Sequence, residues 1–186
     1  MDRQTIDITQ LCVQPHNLFH NQWAVLTVGD FLQADFNAMT IGWGALGTMW
    51  SKPFVYVAVR HSRYTYSFME KFDNFTVTVY SRDYHEALSL LGTRSGRDYD
   101  KISQSGLTPM AGEMVSSPVF AEAEIALECR KIYANDLNPA HFLDNFIDKH
   151  YPNKDFHRIY YGEVVYASAS EPYFVEKLLR SPAMVA

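Results

Sequence analysis

At 186 residues the chain has the length of one domain with one sizeable core, and 47% hydrophobic residues is ordinary for a globular protein. A formal charge of −5 works against general nucleic-acid or anionic-membrane binding, and no apolar run approaches a membrane span. Aromatics are plentiful (12 Tyr, 12 Phe, 3 Trp), which suits a β-rich core, a flat ligand pocket or a subunit interface.

Taken in chain order, residues 1–21 read as an irregular lead-in. Its polar start (Asp2, Arg3, Gln4) lacks the basic-then-apolar pattern of a leader peptide. Residues 23–29 read as a strand, and 36–41 as a second strand after the turn signal at Asp35. The run 54–59 is continuously apolar and rich in β-branched and aromatic residues, as in a strand buried on both faces. Helix periodicity follows over 63–72, with Tyr64, Phe68 and Phe72 on one face and Ser62 placed to cap it. Residues 75–80 alternate Phe75, Val77 and Val79 against Thr76 and Thr78, the period of a half-buried strand. A helix over 83–91 opens with Asp83 and Glu86 in capping-box spacing and stops at Gly92. A short helical turn is expected at 100–104.

Alternation returns at 123–130, with Ala123, Ile125, Leu127 and Cys129 on one face. Residues 138–145 read as short helix or loop, 158–167 as the last strand, and 173–179 as a terminal helix within a C-terminal extension, 169–186. Strands do not alternate regularly with long helices. The expected fold is therefore mainly β (α+β), an antiparallel split barrel with helices at its ends, in a single domain spanning 1–186.

Gly42-Trp43-Gly44-Ala45-Leu46-Gly47 matches GxGxxG, but a dinucleotide fingerprint needs a helix opening inside the motif. Ser51-Lys52-Pro53 interrupts any such helix. The better reading is a glycine-rich turn that brings backbone close to a flat ligand, with Trp43 and Trp50 as walls.

Two basic segments stand out against the acidic background. Arg60-His61-Ser62-Arg63 precedes a helix start, where free N–H groups, a hydroxyl and two guanidiniums suit an anion. Gly92-Thr93-Arg94-Ser95-Gly96-Arg97, with Lys101 close behind, offers hydroxyls and cations without being a P-loop. Together they point to a phosphate-bearing ligand. Haem is also flat, but it carries no phosphate for this cluster.

The order and spacing of several stretches resemble the flavin reductase-like, FMN-binding split-barrel family, in its flavoredoxin-like branch. These are Asn37-Ala38-Met39-Thr40-Ile41-Gly42-Trp43, Val59-Arg60-His61-Ser62-Arg63-Tyr64-Thr65-Tyr66, Leu90 through Asp98, Leu127-Glu128-Cys129-Arg130-Lys131, and His157-Arg158-Ile159-Tyr160-Tyr161-Gly162-Glu163-Val164. The resemblance implies FMN near the interface of a homodimer; two cysteines without a disulfide framework and the polar start lead to the expectation of a reducing cytoplasm. It places Asn37, Ala38, Met39 and Thr40 against the isoalloxazine ring. Arg60, Ser62, Arg63, Thr65 and Tyr66 would lie along the phosphate and ribityl chain, with Ser95, Gly96 and Lys101 close by. His157 would sit on the nicotinamide side. The implied activity is oxidoreduction, with NAD(P)H as donor and free flavin or a small molecule as acceptor. The alternative is a flavoredoxin-like carrier reduced by an electron-transfer protein. Hydride chemistry belongs to such a cofactor, so no triad or carboxylate pair is required.

Other constellations read as structural. His16 and His20 have HxxxH spacing without an evident third ligand, so no metal is expected. Cys129 falls on an inward strand face as an inert thiol, and a single disulfide with Cys12 is left open. Arg130 or Lys131 is expected to pair with acids across the sheet, and Glu163 to be a partly buried structural acid.

Overall fold

A computed structural model describes residues 2–174. Ten strands occur among them: β1 (Gln4–Thr5), β2 (Ala24–Asp30), β3 (Asp35–Ile41), β4 (Gly44–Met49), β5 (Lys52–Arg60), β6 (Asn74–Val79), β7 (Pro109–Met110), β8 (Val119–Phe120), β9 (Ile125–Asp136) and β10 (His157–Ala169). Four α-helical segments join them: α1 (Pro15–Asn17), α2 (Tyr64–Lys71), α3 (His85–Thr93) and α4 (Lys101–Ser105). The main sheet is antiparallel throughout, in the order β3-β2-β6-β9-β10-β5-β4, with β1 added to β10. β7 and β8 form a separate two-stranded sheet.

Alternation explains how this sheet closes. Leu26 and Val28 of β2, Met39 and Ile41 of β3, and Val55, Val57 and Val59 of β5 enter one core. Phe75, Val77 and Val79 of β6 join Ile125, Leu127 and Cys129 of β9 there. One face of strands distant in the order thus packs together, so the sheet wraps on itself as a split barrel. α2 seals this core with Phe68 and Met69, as its 3.6-residue stripe requires. A second core lies outside the barrel wall. There Val25, Ala38 and Tyr80 meet Leu88 and Leu91 of α3, with Leu107, Phe120 and Ala123.

Several expectations are corrected. The lead-in carries β1 and 3₁₀, α and π turns over 8–22 instead of remaining irregular. The glycine-rich stretch is not a turn but strand β4. Its hairpin to β5 turns at Trp50 and Ser51, both with positive φ (52° and 58°), as a two-residue primed turn demands. β6 is buried on both faces, because the 107–123 segment covers its threonines: Thr76 donates to the Pro118 carbonyl at 2.6 Å. Ser62 does not cap α2; Arg63 occupies the cap position and makes no side-chain capping bond. α3 follows a 3₁₀ turn (Arg82–Tyr84), lacks the capping box, and runs through Gly92 to Thr93. β10 extends to Ala169, so the barrel reaches into the expected extension. Phe174 bridges Leu11, and the rest of the expected terminal helix lies outside the described residues.

The structural readings of Glu163 and Cys129 agree with the geometry. Glu163 accepts from Lys52 at 2.8 Å and Arg130 at 2.7 Å, which hold its carboxyl below the usual carboxylate range. Cys129 is fully buried, which pushes its thiol up, while Cys12 is exposed and unbridged. No helix among the described residues is long and apolar enough to cross a membrane.

Candidate functional site

One end of the barrel brings together the end of β3, the turn into β4, the end of β5 and the start of β10. Antiparallel register sets His157 opposite Arg60 and Ile159 opposite Ala58. These elements enclose a cavity of about 220 Å³ lined by Met39, Thr40, Ile41, Gly42, Trp43, Ala58, Arg60, Arg63 and His157. A second hollow of about 120 Å³ lies between the start of α2 and the loop after α3. Ser62, Thr65, Arg94, Ser95, Arg97 and Lys101 line it. Met39 and Arg63 line both, so the two form one channel.

The second hollow is strongly cationic. Arg63 donates to the Gly92 carbonyl at 2.5 Å, tying α2 to the end of α3. Burial lowers its pKa, neighbouring Arg60 lowers it further, and Asp155 partly offsets both. Lys101 is buried and donates to the Leu91 and Arg94 carbonyls at 2.9 and 3.1 Å. Desolvation, then Arg63, bring it down to about 8. Ser62 donates to the Asp155 carboxylate at 2.5 Å, so one acid stands at the rim. Among the described residues, Arg60, Arg63, Arg94, Arg97 and Lys101 make no ion pair, whereas Lys52, Lys71, Arg130 and Arg158 do. Four of these, Arg63, Arg94, Arg97 and Lys101, line this hollow, with Arg60 in the adjoining cavity, and leave a charge that an anionic group would balance. The uncapped first turn of α2, lined by Tyr64 and Thr65, adds backbone N–H groups.

The first cavity carries His157 and Trp43. His157 is buried, its Nδ1 lies 2.8 Å from the Tyr151 hydroxyl, and its ring is 4.8 Å from Trp43. Burial, then Arg60, bring its pKa down to about 4, so the imidazole is neutral at pH 7. Arg60 sits 5.0 Å over the Tyr151 ring and donates to the Asp155 and His150 carbonyls at 3.0 and 2.9 Å. It therefore anchors the 150–155 segment as well as facing the cavity.

The remaining sequence-derived site residues divide. Asn37 is buried and donates to Thr65 Oγ1 at 2.7 Å. Gly96 is packed against it: a Cβ there would lie 2.4 Å from Asn37 Oδ1. Asn37, Thr65 and Gly96 thus form a wedge behind the channel. Thr40 lines the cavity with its hydroxyl bonded to the Leu88 carbonyl. Ala38 points away into the second core. Tyr66 packs edge-on to His61 at 4.6 Å, outside both hollows. Trp50 is not brought to the site. It stands at the far tip of the β4–β5 hairpin, 61% exposed and edge-on to Tyr133. Gly44 makes room for Phe19, since a Cβ there would meet that ring at 2.6 Å, and of the motif's three glycines only Gly42 lines the first cavity, beside Trp43.

Sequence reasoning missed Ile41, Ala58, Tyr64 and Thr93 as lining residues. Arg94 and Arg97 were visible as loop cations but carried no assigned role. Ala58 had one signal: a small residue two positions before Arg60 shares its strand face.

A family model described as flavin reductase like domain matches residues 16–179. Among solved structures, the fold is similar to an FMN-binding domain of a flavin reductases-like enzyme from Shewanella baltica (TM-score 0.65, 17% identity, 90% of this chain and 77% of that one). It is also similar to flavoredoxin of Desulfovibrio vulgaris (TM-score 0.63, 22% identity, 92% and 78%). A third similar structure is an NADH:FAD oxidoreductase of Streptomyces globisporus (TM-score 0.62, 20% identity, 80% and 75%). By sequence, an uncharacterized protein of Archaeoglobus fulgidus is 31% identical over 96 residues, 52% of this chain and 54% of the relative. The match thus spans about half the length of that curated relative.

Proposed function

We infer the function from one premise: the chain belongs to the flavin reductase like domain family. The reading supported best is an FMN-binding oxidoreductase. The observation that carries it is the set of four cations without an ion pair, Arg63, Arg94, Arg97 and Lys101, around the hollow at the start of α2. Ser62, Arg63, Thr65, Arg94, Ser95, Arg97 and Lys101 would take the phosphate. Met39 to Trp43, Ala58, Arg60 and His157 would border the ring system, with Met39 and Trp43 against its faces. When bound, FMN supplies two-electron chemistry; the protein positions and tunes it. Neutral His157 offers a hydrogen-bonding nitrogen without adding charge to the cavity.

NAD(P)H is the proposed donor, and free flavin or another small molecule the acceptor. The carrier reading, with electrons arriving from a partner protein, is favoured by one feature. A further cavity of about 970 Å³, reaching from Trp43 to Tyr56 and Tyr161, has no Lys or Arg in its lining, so a dinucleotide diphosphate finds no counter-charge there. The exposed β4–β5 tip, with Met49 and Trp50 beside Tyr133, is the proposed face for a second copy.

Purified protein should be yellow, and anaerobic NADH or NADPH should bleach it within a catalytic turnover time. A colourless protein with no thermal shift on adding FMN would refute FMN binding. Fast reduction by a ferredoxin-type donor with none by NADH would select the carrier.

A further inference from the structure

The largest cavity among those described, about 970 Å³, adjoins the channel through Gly42, Trp43 and Ala58, which line both. Its walls come from four regions. The 15–21 segment supplies His16, Asn17, Phe19, His20 and Asn21, the β4–β5 hairpin supplies Ala45, Leu46 and Tyr56, β10 supplies Ile159 and Tyr161, and Leu137 closes the side. No Asp, Glu, Lys or Arg lines it. A charged ligand would find no Asp, Glu, Lys or Arg to balance it there. An uncharged ligand needs none.

The lining also has a direction. Trp43, Tyr56, Tyr161 and Phe19 present aromatic surface, which favours a planar ring system by stacking and edge contacts. His16, His20, Asn17 and Asn21 lie on one side of the cavity, at i and i+4 spacing. Asn21 donates to Asn17 at 2.9 Å, which holds one amide pair in place. These groups can donate to a carbonyl oxygen at the edge of such a ring. The volume is at the upper end of small-molecule sites.

We propose that this cavity binds an uncharged, planar aromatic carbonyl compound of the quinone class, in contact with Trp43 and distinct from the phosphate-bearing channel. The proposal rests on the FMN reading for its redox meaning, but the cavity and its charge do not depend on that reading.

The test uses the full-length protein, both flavin-free and FMN-loaded, titrated with menadione by calorimetry and by tryptophan fluorescence. 1,4-Naphthoquinone-2-sulfonate serves as the anionic counterpart of similar size. Expected are one menadione site in both forms and at least about tenfold weaker sulfonate binding, the equivalent of about 1.4 kcal/mol. Ala45→Trp fills the cavity from β4 and Leu137→Trp from the opposite wall. Either folded variant should lose menadione binding and keep FMN affinity. Equal binding of the sulfonate would overturn the charge argument. Menadione displaced by FMN would assign the cavity to the flavin and overturn its distinctness. Absence of menadione binding to both forms would overturn the proposal outright. Menadione binding with no FMN binding would leave the cavity assignment standing and sink the FMN reading instead.

Discussion

Replacing Arg63 by Ala removes the cation that lines both halves of the channel and donates to the Gly92 carbonyl. A charge-assisted hydrogen bond contributes about 1.5–3 kcal/mol, which converts to about a 10- to 150-fold rise in the Kd for FMN. Arg60, Arg94, Arg97 and Lys101 remain, so binding weakens without vanishing. The same change also loosens α2 from the end of α3, and that loss touches any flavin. Riboflavin, which shares the ring and ribityl chain but has no phosphate, separates the two effects. The assay is quenching of flavin fluorescence on titration with wild-type and R63A protein, for both ligands, at low and moderate salt. FMN should lose about tenfold or more relative to riboflavin, and the gap should narrow as salt screens the remaining cations. Arg63→Lys should fall between, because a point charge replaces a planar fork. Equal losses for FMN and riboflavin, or unchanged FMN affinity, would show that the phosphate does not sit at Arg63.

Other outcomes follow from individual groups. Lys101 titrates near 8 in the folded chain against 10.5 as its ordinary value, so the unfolded chain binds more protons between those pH values. Stability should rise across that window while FMN affinity falls, and K101M should flatten both curves in pH-series urea melts and FMN titrations. His157, lowered to about 4 from 6.5, should give stability that is complete above about 6.5 and is lost as pH falls toward 4. H157Q should reduce that slope; an unchanged slope would contradict a buried neutral imidazole. Glu128 is buried and accepts from the Glu113, Met114 and Val115 amides at 2.8, 2.7 and 3.2 Å. E128A should cost about 2–4 kcal/mol in denaturant unfolding, since it frees a loop that covers β6 and β9. A loss below about 0.5 kcal/mol would mean the loop is held elsewhere.

The inner wall of the barrel was legible in the sequence, because strand alternation is local. Phe75, Val77 and Val79, and Ile125, Leu127 and Cys129, each declare a face within a few residues, while the continuous 54–59 run declares a strand without a face. The cationic character of 60–63 and 92–101 was legible too, since charge is carried by residue type. Strand β4 was not. Its Gly-Ala-Leu-Gly run lacks alternation, and its turn at Trp50 and Ser51 uses positive φ at residues that do not advertise it. Only pairing with β5 makes it a strand.

What the sequence determined by itself was thus the barrel's inward face, the helix stripe of α2 and the presence of two basic segments suited to a phosphate. The tertiary structure decided which of these meet. It set Arg60 against His157 through the β5–β10 register, closed the 92–101 loop onto the start of α2, buried the outer face of β6, and carried Trp50 away from Trp43 along the hairpin. The reason is physical. Side-chain direction follows from backbone period, but register, the burial of a strand's second face and the neighbours of a charge depend on segments many residues away.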